Sequence, residues 1–524
     1  MQEFYKYTHP KERNQNKMGA VRYILKDYLI ILEQAGIVTE SNLGDQDIMS
    51  VFNLTYNSKE VTPLTLFVVK GAHFKEEYLK DAIDAGAICY VAEKKYENID
   101  ASVPYIIVKD IKVAMPLLAN RFHNEAWKRL WTTGITGTKG KSTTCYFIRS
   151  IIDDYMASQG KGPQAFMSSI EVYDGVEQFE SHLTTPEALE MHKHFENAVN
   201  SGLRYVTMEV SSQALKYHRA LGVNYDVGIF LNIGLDHISD IEHTGFEDYY
   251  GSKLKLMSQC KTAVVNIDAD HADETLAEAK KHAKRVLTTS RTDKNADIYA
   301  YDIQPLEDGI VFKVHTPDWD EEVKSGIRGI FNVDNALCAI AAAYVYNIPV
   351  EFIRSGLLRT RADGRMEIFK AKDRDLTVIV DYAHNKMSMQ ALFDSCFAEF
   401  PGKEIRIVFG SAGGKAFGRR KELGDIAGKY AVMSYLTEED YGEEPLMHIC
   451  EDIAGHIEEQ GGKYEIILDR EEAIKKAISD AGEHAVILVT AKGRETRQKR
   501  GIEYIDCKSD VQIVEETLDL PRSM

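Results

Sequence analysis

Residues 136–143 read Thr-Gly-Thr-Lys-Gly-Lys-Ser-Thr, a stretch that combines two glycines, two lysines and four hydroxyl side chains. Such a loop can hold a polyphosphate. Gly137 and Gly140 let the N–H groups of Thr138, Lys139 and their neighbours turn inward around phosphate oxygens, and a following helix adds the positive end of its dipole at Thr143. Lys141 supplies a point charge, and the Ser142 hydroxyl can bind Mg²⁺. The loop departs from the strict Walker pattern because Ile135 stands where the first glycine would be.

Such a loop needs a strand before it and a helix after it, and the flanking residues supply both. Apolar or β-branched runs at 130–136, 205–210, 226–233, 262–267, 376–380, 405–409 and 485–490 alternate with helical patterns. That alternation predicts parallel α/β sheets, in which ligands sit beyond the carboxyl ends of strands. The rule selects Ser211 and Ser212, Asp236 and His237, and Asp381 and His384, each just after a run. Glu209 and His237 are the candidate metal ligands. Mg²⁺ prefers oxygen, so Glu209 suits it better than His237, and both residue types also serve as helix caps or buried hydrogen-bond partners.

The chain has 524 residues, enough for about three domains. With 44% hydrophobic and 27% charged residues and 12 prolines, it reads as globular, not disordered. Lys plus Arg number 63 against 81 Asp plus Glu, a net charge of -18, which argues against nucleic acid and acidic membranes as partners. The seven cysteines are scattered without a CxxC pair, and the short apolar stretch 28–32 is too brief to span a membrane. A cytoplasmic monomer is expected, opening with a frayed segment to about Met18 and an amphipathic helix over 21–32.

Seven motifs in order carry a family resemblance: T-G-T-K-G-K-S-T, T-T-P-E at 184–187, M-E-V-S-S at 208–212, N-I-G-L-D-H-I at 232–238, F-N-V-D-N at 331–335, G-R-M-E at 364–367 and D-Y-A-H at 381–384. The chain resembles the Mur ligases, most closely the UDP-N-acetylmuramyl-tripeptide synthetase (MurE) branch. The resemblance implies an α/β fold of three domains. These are an N-terminal UDP-sugar-binding domain (1–129, with an extension 1–48), a central ATP-binding domain with a P-loop ATPase-like parallel sheet (130–362), and a Rossmann-like C-terminal amino-acid-binding domain (363–524). It further implies an ATP-dependent ligase that joins an amino acid to the D-Glu of UDP-N-acetylmuramoyl-L-Ala-D-Glu through an acyl phosphate, in peptidoglycan precursor synthesis.

By position, the resemblance implies that Ser142, Glu209, His237 and a carbamylated Lys253 hold Mg²⁺. Lys141, Glu209, His237 and Lys253 are then catalytic. Asn332, Asn335, Arg365, Asp381 and His384 join the loop in binding ATP. Ser58, Thr184, Thr185, Ser211 and Arg219 bind the UDP-sugar dipeptide. Thr184 with Glu187 reads equally as a helix capping box.

The departures concentrate at the C-terminal end. Where the diaminopimelate-adding branch carries D-N-P-R, this chain has Thr-Glu-Glu-Asp-Tyr-Gly-Glu-Glu-Pro at 437–445, with no arginine in that run. Lys415 replaces a family arginine, and Ala-Lys-Gly-Arg-Glu at 491–495 replaces G-K-G-H-E while retaining Glu495. The amino-acid site is expected at Lys415, Glu439, Asp440 and Glu495. An acidic pocket with no cation for a second carboxylate favours L-lysine or another diamino acid with a basic side chain; the opposing reading makes 438–440 a solvated acidic loop. Asn57-Ser58-Lys59 stands in place of D-S-R, and Tyr217 in place of a polar amide. The competing functions are a related ligase with another carboxylate acceptor, of the folylpolyglutamate or cyanophycin synthetase kind, and a nucleotide-binding partner protein without ligase activity.

Overall fold

A computed structural model describes residues 22–71, 74–181, 183–235, 242–361, 366–414 and 417–521. Three main sheets follow one another along the chain. The first has five strands in the order Val38–Asn42, Tyr105–Val108, Ala87–Ala92, Thr65–Val68, Asn53–Thr55, all parallel except the first pair. The N-terminal helix runs Leu25–Gln34, not 21–32: Ile24 is held extended in a bridge to Ser50, and the helix begins behind it. Leu25, Tyr28 and Leu32 are buried against this sheet, so the helix, within the stretch expected as an extension, belongs to its core, and the strand Val38–Asn42 forms its exposed edge.

The second sheet has eleven strands. Its parallel centre runs Ile298–Leu306, Arg285–Ser290, Cys260–Asn266, Tyr225–Phe230, Trp131–Thr136, Tyr205–Glu209, Ala165–Met167, with two antiparallel strands added at each margin. Alternate residues face opposite sides: Ile229 and Val264 pack under the helices Lys141–Ser158 and Phe331–Val345, while Phe230 and Val265 pack under Ala188–Asn200 and Phe246–Leu254. Burial on both faces is why these strands read as continuous apolar runs.

The third sheet orders Glu367–Lys370, Leu376–Asp381, Ala485–Thr490, Glu404–Phe409, Met433–Leu436, Tyr464–Ile466, with only the first strand antiparallel. A separate two-stranded hairpin, Arg497–Arg500 with Glu503–Asp506, follows it. The central and C-terminal sheets are joined where Arg328 Nε meets Glu399 Oε2 at 2.8 Å and Gly329 N meets Glu399 Oε1 at 2.9 Å. Among the described residues no helix is long and apolar enough to cross a membrane.

Candidate active site

The glycine-rich loop leaves the strand Trp131–Thr136, which is flanked in the sheet by Tyr205–Glu209 on one side and Tyr225–Phe230 on the other. The register sets Glu209 beside Ile135 and Phe230 beside Thr136, so both neighbouring strands end at the base of the loop. Gly140 has φ +84, and a Cβ there would lie 2.2 Å from Asn335 Oδ1, so only glycine permits this approach of loop to helix. Asn232 clamps the loop from the next strand end: its Oδ1 accepts from Lys139 N at 2.9 Å and its Nδ2 donates to Lys139 O at 3.1 Å. Thr138 Oγ1 lies 3.0 Å from the Tyr249 hydroxyl and accepts from Gly234 N at 3.1 Å.

Two ammonium groups converge on one loop carbonyl. Lys141 Nζ donates to Gly137 O at 2.9 Å and Thr138 O at 3.2 Å, and the buried Lys253 donates to Gly137 O at 2.9 Å. Across the loop, Ser142 Oγ is 3.1 Å from Ser169 Oγ, and Ser169 donates to Glu209 Oε1 through N (3.0 Å) and Oγ (3.1 Å). Glu209 is 1% exposed. Ser142, Ser169 and Glu209 thus form an all-oxygen donor set, the chemistry Mg²⁺ prefers. His237, Arg365 and Lys415 lie outside the described residues.

A cleft of about 630 Å³ opens above the loop, between the central and C-terminal sheets. Its lining takes in Thr138 to Thr143, Ser169, Thr184 and Glu209 on one side. Asn332, Asn335, Asp381 and His384 also face it, and Arg419, Glu439, Asp440, Lys492 and Glu495 complete the opposite wall. His384 Nδ1 is 2.7 Å from Tyr382 O, so its proton sits there, and Nε2 accepts from Lys139 Nζ at 2.9 Å, linking the two sheets. Asn335 Nδ2 donates to Asn332 Oδ1 at 2.8 Å. Asp381 commits one oxygen to Met366 N at 2.9 Å and the other to Ala383 N at 2.8 Å, which shapes the turn carrying His384.

The C-terminal wall overturns the solvated-loop reading of the 438–440 run and qualifies the acidic-pocket reading. It is not a solvated loop, because Glu438 and Glu439 are 4% and 8% exposed, and the wall is not without cations, because Arg419 and Lys492 line it. Burial raises the Glu439 carboxyl above its usual range, and Oε2 of Glu439 has no hydrogen-bond partner among the described residues. Burial works against the Lys492 ammonium, but Glu495 at 2.5 Å and Asp440 at 2.9 Å outweigh it and hold its pKa above the ordinary lysine value.

A second cluster sits where the first sheet meets the central one. Thr185 Oγ1 donates to Glu209 O at 2.9 Å and accepts from Ser211 N at 3.0 Å, while Arg219 donates to Thr185 O at 3.1 Å. Glu187 is bracketed by Arg219 at 2.8 Å and Lys70 at 2.6 Å, and the Tyr56 hydroxyl bonds Glu190. The capping box at 184–187 is absent: the helix Ala188–Asn200 starts with Glu187 at its cap position, and the Glu187 side chain makes ion pairs instead. Ser58 lies in the short turn Ser58–Glu60, two residues beyond Tyr56, and does not line the large cleft.

Ser169, Asn232, Arg419, Lys492, Lys70 and Glu187 enter the site without having been selected from the sequence. Asn232 carried a signal, as the first residue of N-I-G-L-D-H-I; Ser169 carried none, being one serine after a short strand.

Two family models match the chain, the Mur ligase middle domain over residues 135–343 and the Mur ligase glutamate ligase domain over residues 364–493. The UDP-N-acetylmuramyl-tripeptide synthetase of Bifidobacterium longum is 37% identical over 485 residues, covering 89% of this chain and 92% of the relative. The chain belongs to the Mur ligase family. A second Mur ligase relative, the UDP-N-acetylmuramoyl-L-alanyl-D-glutamate--L-lysine ligase of Streptococcus thermophilus, is 35% identical, covering 89% of this chain and 92% of the relative. Among solved Mur ligase structures, a UDP-N-acetylmuramoyl-L-alanyl-D-glutamate--2,6-diaminopimelate ligase superposes with TM-score 0.64 at 22% identity, over 95% of this chain and 99% of the other, which establishes the shared three-sheet α/β fold.

Proposed function

We propose that this protein is an ATP-dependent ligase that adds a diamino acid, L-lysine in the first place, to the D-Glu of UDP-N-acetylmuramoyl-L-Ala-D-Glu in peptidoglycan precursor synthesis. The observation that carries the reading is one cleft that has a phosphate loop on one wall and the carboxylates of Glu439, Asp440 and Glu495 on the other. The relatives named as tripeptide synthetase and L-lysine ligase support the reaction class.

The domain to about residue 129 holds the UDP-sugar, with Ser58 near the uridine end. Thr184, Thr185, Ser211 and Arg219 meet the dipeptide at the junction, and 130–362 and 363–524 hold ATP and the amino acid. Asn332 and Asn335 would meet the adenine, and Arg365, Asp381 and His384 would serve the ribose and phosphates. In the first step a D-Glu carboxylate oxygen bonds to the γ-phosphorus and the bond to ADP breaks, giving an acyl phosphate. Lys141, already directed by two loop carbonyls, offsets negative charge on the transferring group. In the second step the amine bonds to the acyl carbon, phosphate leaves and the amine loses a proton. Closure of the cleft keeps water from the acyl phosphate.

Ser142 and Glu209, with His237, would hold Mg²⁺, which when bound offsets charge on the phosphates. Lys253 is the candidate for carbamylation: CO₂ adds to its neutral amine with loss of a proton and turns a buried cation into an oxygen ligand. Loss of activity in Lys253→Ala with recovery in short carboxylic acids would support that role; full activity without them would exclude it. For the pocket, Glu439 and Asp440 receive the side-chain ammonium, and Glu495 and Lys415 are the further candidate contacts.

The deciding experiment measures phosphate release with ATP, Mg²⁺ and the UDP-sugar dipeptide across a panel of amino acids, with product masses read in parallel. Release that depends on a diamino acid, with the matching tripeptide mass, is expected. ATP binding with no amino-acid-dependent release would overturn the reading in favour of another acceptor or a binding protein.

A further inference from the structure

Glu438, Glu439 and Asp440 are adjacent carboxylates on one loop behind the strand Met433–Leu436, and their surroundings differ. Arg500 takes Glu438 with both arms, Nε at 3.0 Å from Oε2 and NH2 at 2.6 Å from Oε1. Asp440 Oδ1 accepts from Lys492 Nζ at 2.9 Å and from Lys499 N at 3.0 Å. Glu439 alone keeps a buried oxygen without a hydrogen-bond partner among the described residues, and it lines the cleft.

The device that sorts them is the hairpin Arg497–Asp506. Its first strand is stitched to the acidic loop through Gly442 N to Lys499 O (3.3 Å) and Gly501 N to Gly442 O (2.7 Å), while the buried Gln498 donates to Glu439 O at 2.8 Å. The hairpin builds little core of its own, since Ile502, Tyr504 and Ile505 are exposed. A two-stranded ribbon with an exposed apolar tip is poorly stable by itself, so its contacts with the acidic loop are what fix it, and it in turn fixes the loop.

We propose that this hairpin sets amino-acid selectivity, with Arg500 the positioning residue that draws Glu438 away and leaves Glu439 to meet the side-chain ammonium of the incoming amino acid. This rests on the ligase reading and adds to it a determinant outside the substrate's own contacts. Without Arg500, Glu438 is a second carboxylate in the same buried loop, and it competes with Asp440 and Glu439 for Lys492 and Arg419. A pocket with two unpaired carboxylates takes up protons or rearranges, and in either case loses its fit to one ammonium.

The test compares steady-state kinetics of the full-length enzyme and three variants, Arg500→Ala, Arg500→Lys and Arg500→Ala with Glu438→Gln, varying each of the three substrates in turn. In Arg500→Ala the KM for the preferred diamino acid rises about tenfold or more while the KM for ATP and kcat stay within about twofold. Adding Glu438→Gln restores most of the affinity, because a neutral amide needs no guanidinium, and Arg500→Lys restores part of it. An unchanged amino-acid KM in Arg500→Ala, an equal loss for all three substrates, or no rescue by Glu438→Gln would each overturn the proposal. A wild-type chain inactive with every amino acid would instead overturn the ligase reading, and this proposal with it.

Discussion

The two walls of the cleft are built on opposite plans. The phosphate wall is made of backbone: eight contiguous residues, two of them glycines, wrapped between a strand end and a helix start and braced by Asn232. The C-terminal wall is made of side chains from distant segments, with Glu439 and Asp440 from one loop and Lys492 and Glu495 from another, backed by Arg500 and Gln498 of a hairpin. A ligand common to a whole reaction class can be held by groups that every sequence carries. A ligand that must be told from its analogues needs side chains, whose placement depends on what packs behind them.

That contrast is sharpest at the few side chains on which the backbone-built wall still depends. Lys141→Ala is expected to lower the rate of ADP formation by about a thousandfold, with the melting temperature little changed, since it removes a charge aimed at the transferring phosphoryl group. Next in size, Asn232→Ala removes two bonds that hold Lys139, and a loss of ~2 kcal/mol appears as a KM for ATP raised about thirtyfold, with amino-acid affinity spared.

On the other wall, Glu439→Gln should raise the amino-acid KM about tenfold and leave that for ATP alone. The pH dependence sharpens this. Burial raises the Glu439 carboxyl, so as pH falls its negative charge is lost before that of ordinary carboxylates, and the wild-type amino-acid KM rises in that range. Glu439→Gln has no such charge to lose, so its KM profile should be flat there. A parallel rise in both proteins would show that another group controls it.

The smallest effect concerns the backbone of this second wall. Ala491, where the family motif has glycine, sits at φ +89, a region that strains a residue with a Cβ. Ala491→Gly should stabilise the C-terminal module by about 1 kcal/mol, visible as a rise of about 2 °C in its melting transition. An unchanged or lower transition would mean that the alanine is accommodated without strain.

Legibility followed the same division. The loop, Glu209 and the strand end at Asp381 were readable from runs and their termini, because a parallel sheet brings strand ends to one side whatever lies between them. Strand limits moved by a few residues at most, as with Cys260–Asn266 against 262–267. The 438–440 run was legible as acidic and illegible as buried, since burial depended on Arg500 sixty residues on. Glu187 likewise read as the far member of a capping box begun by Thr184 and became the bridge between Lys70 and Arg219.

The sequence by itself therefore determined the elements, their order, the nucleotide loop and the family, because those depend on local periodicity, glycine placement and contiguous motifs. Only the tertiary structure decided which carboxylates are neutralised, which one keeps an oxygen without a partner among the described residues, and which cations face the cleft. Those outcomes are set by pairing between groups far apart in the chain, where a hydrogen bond of about 3 Å depends on how whole elements pack and leaves no trace in local spacing.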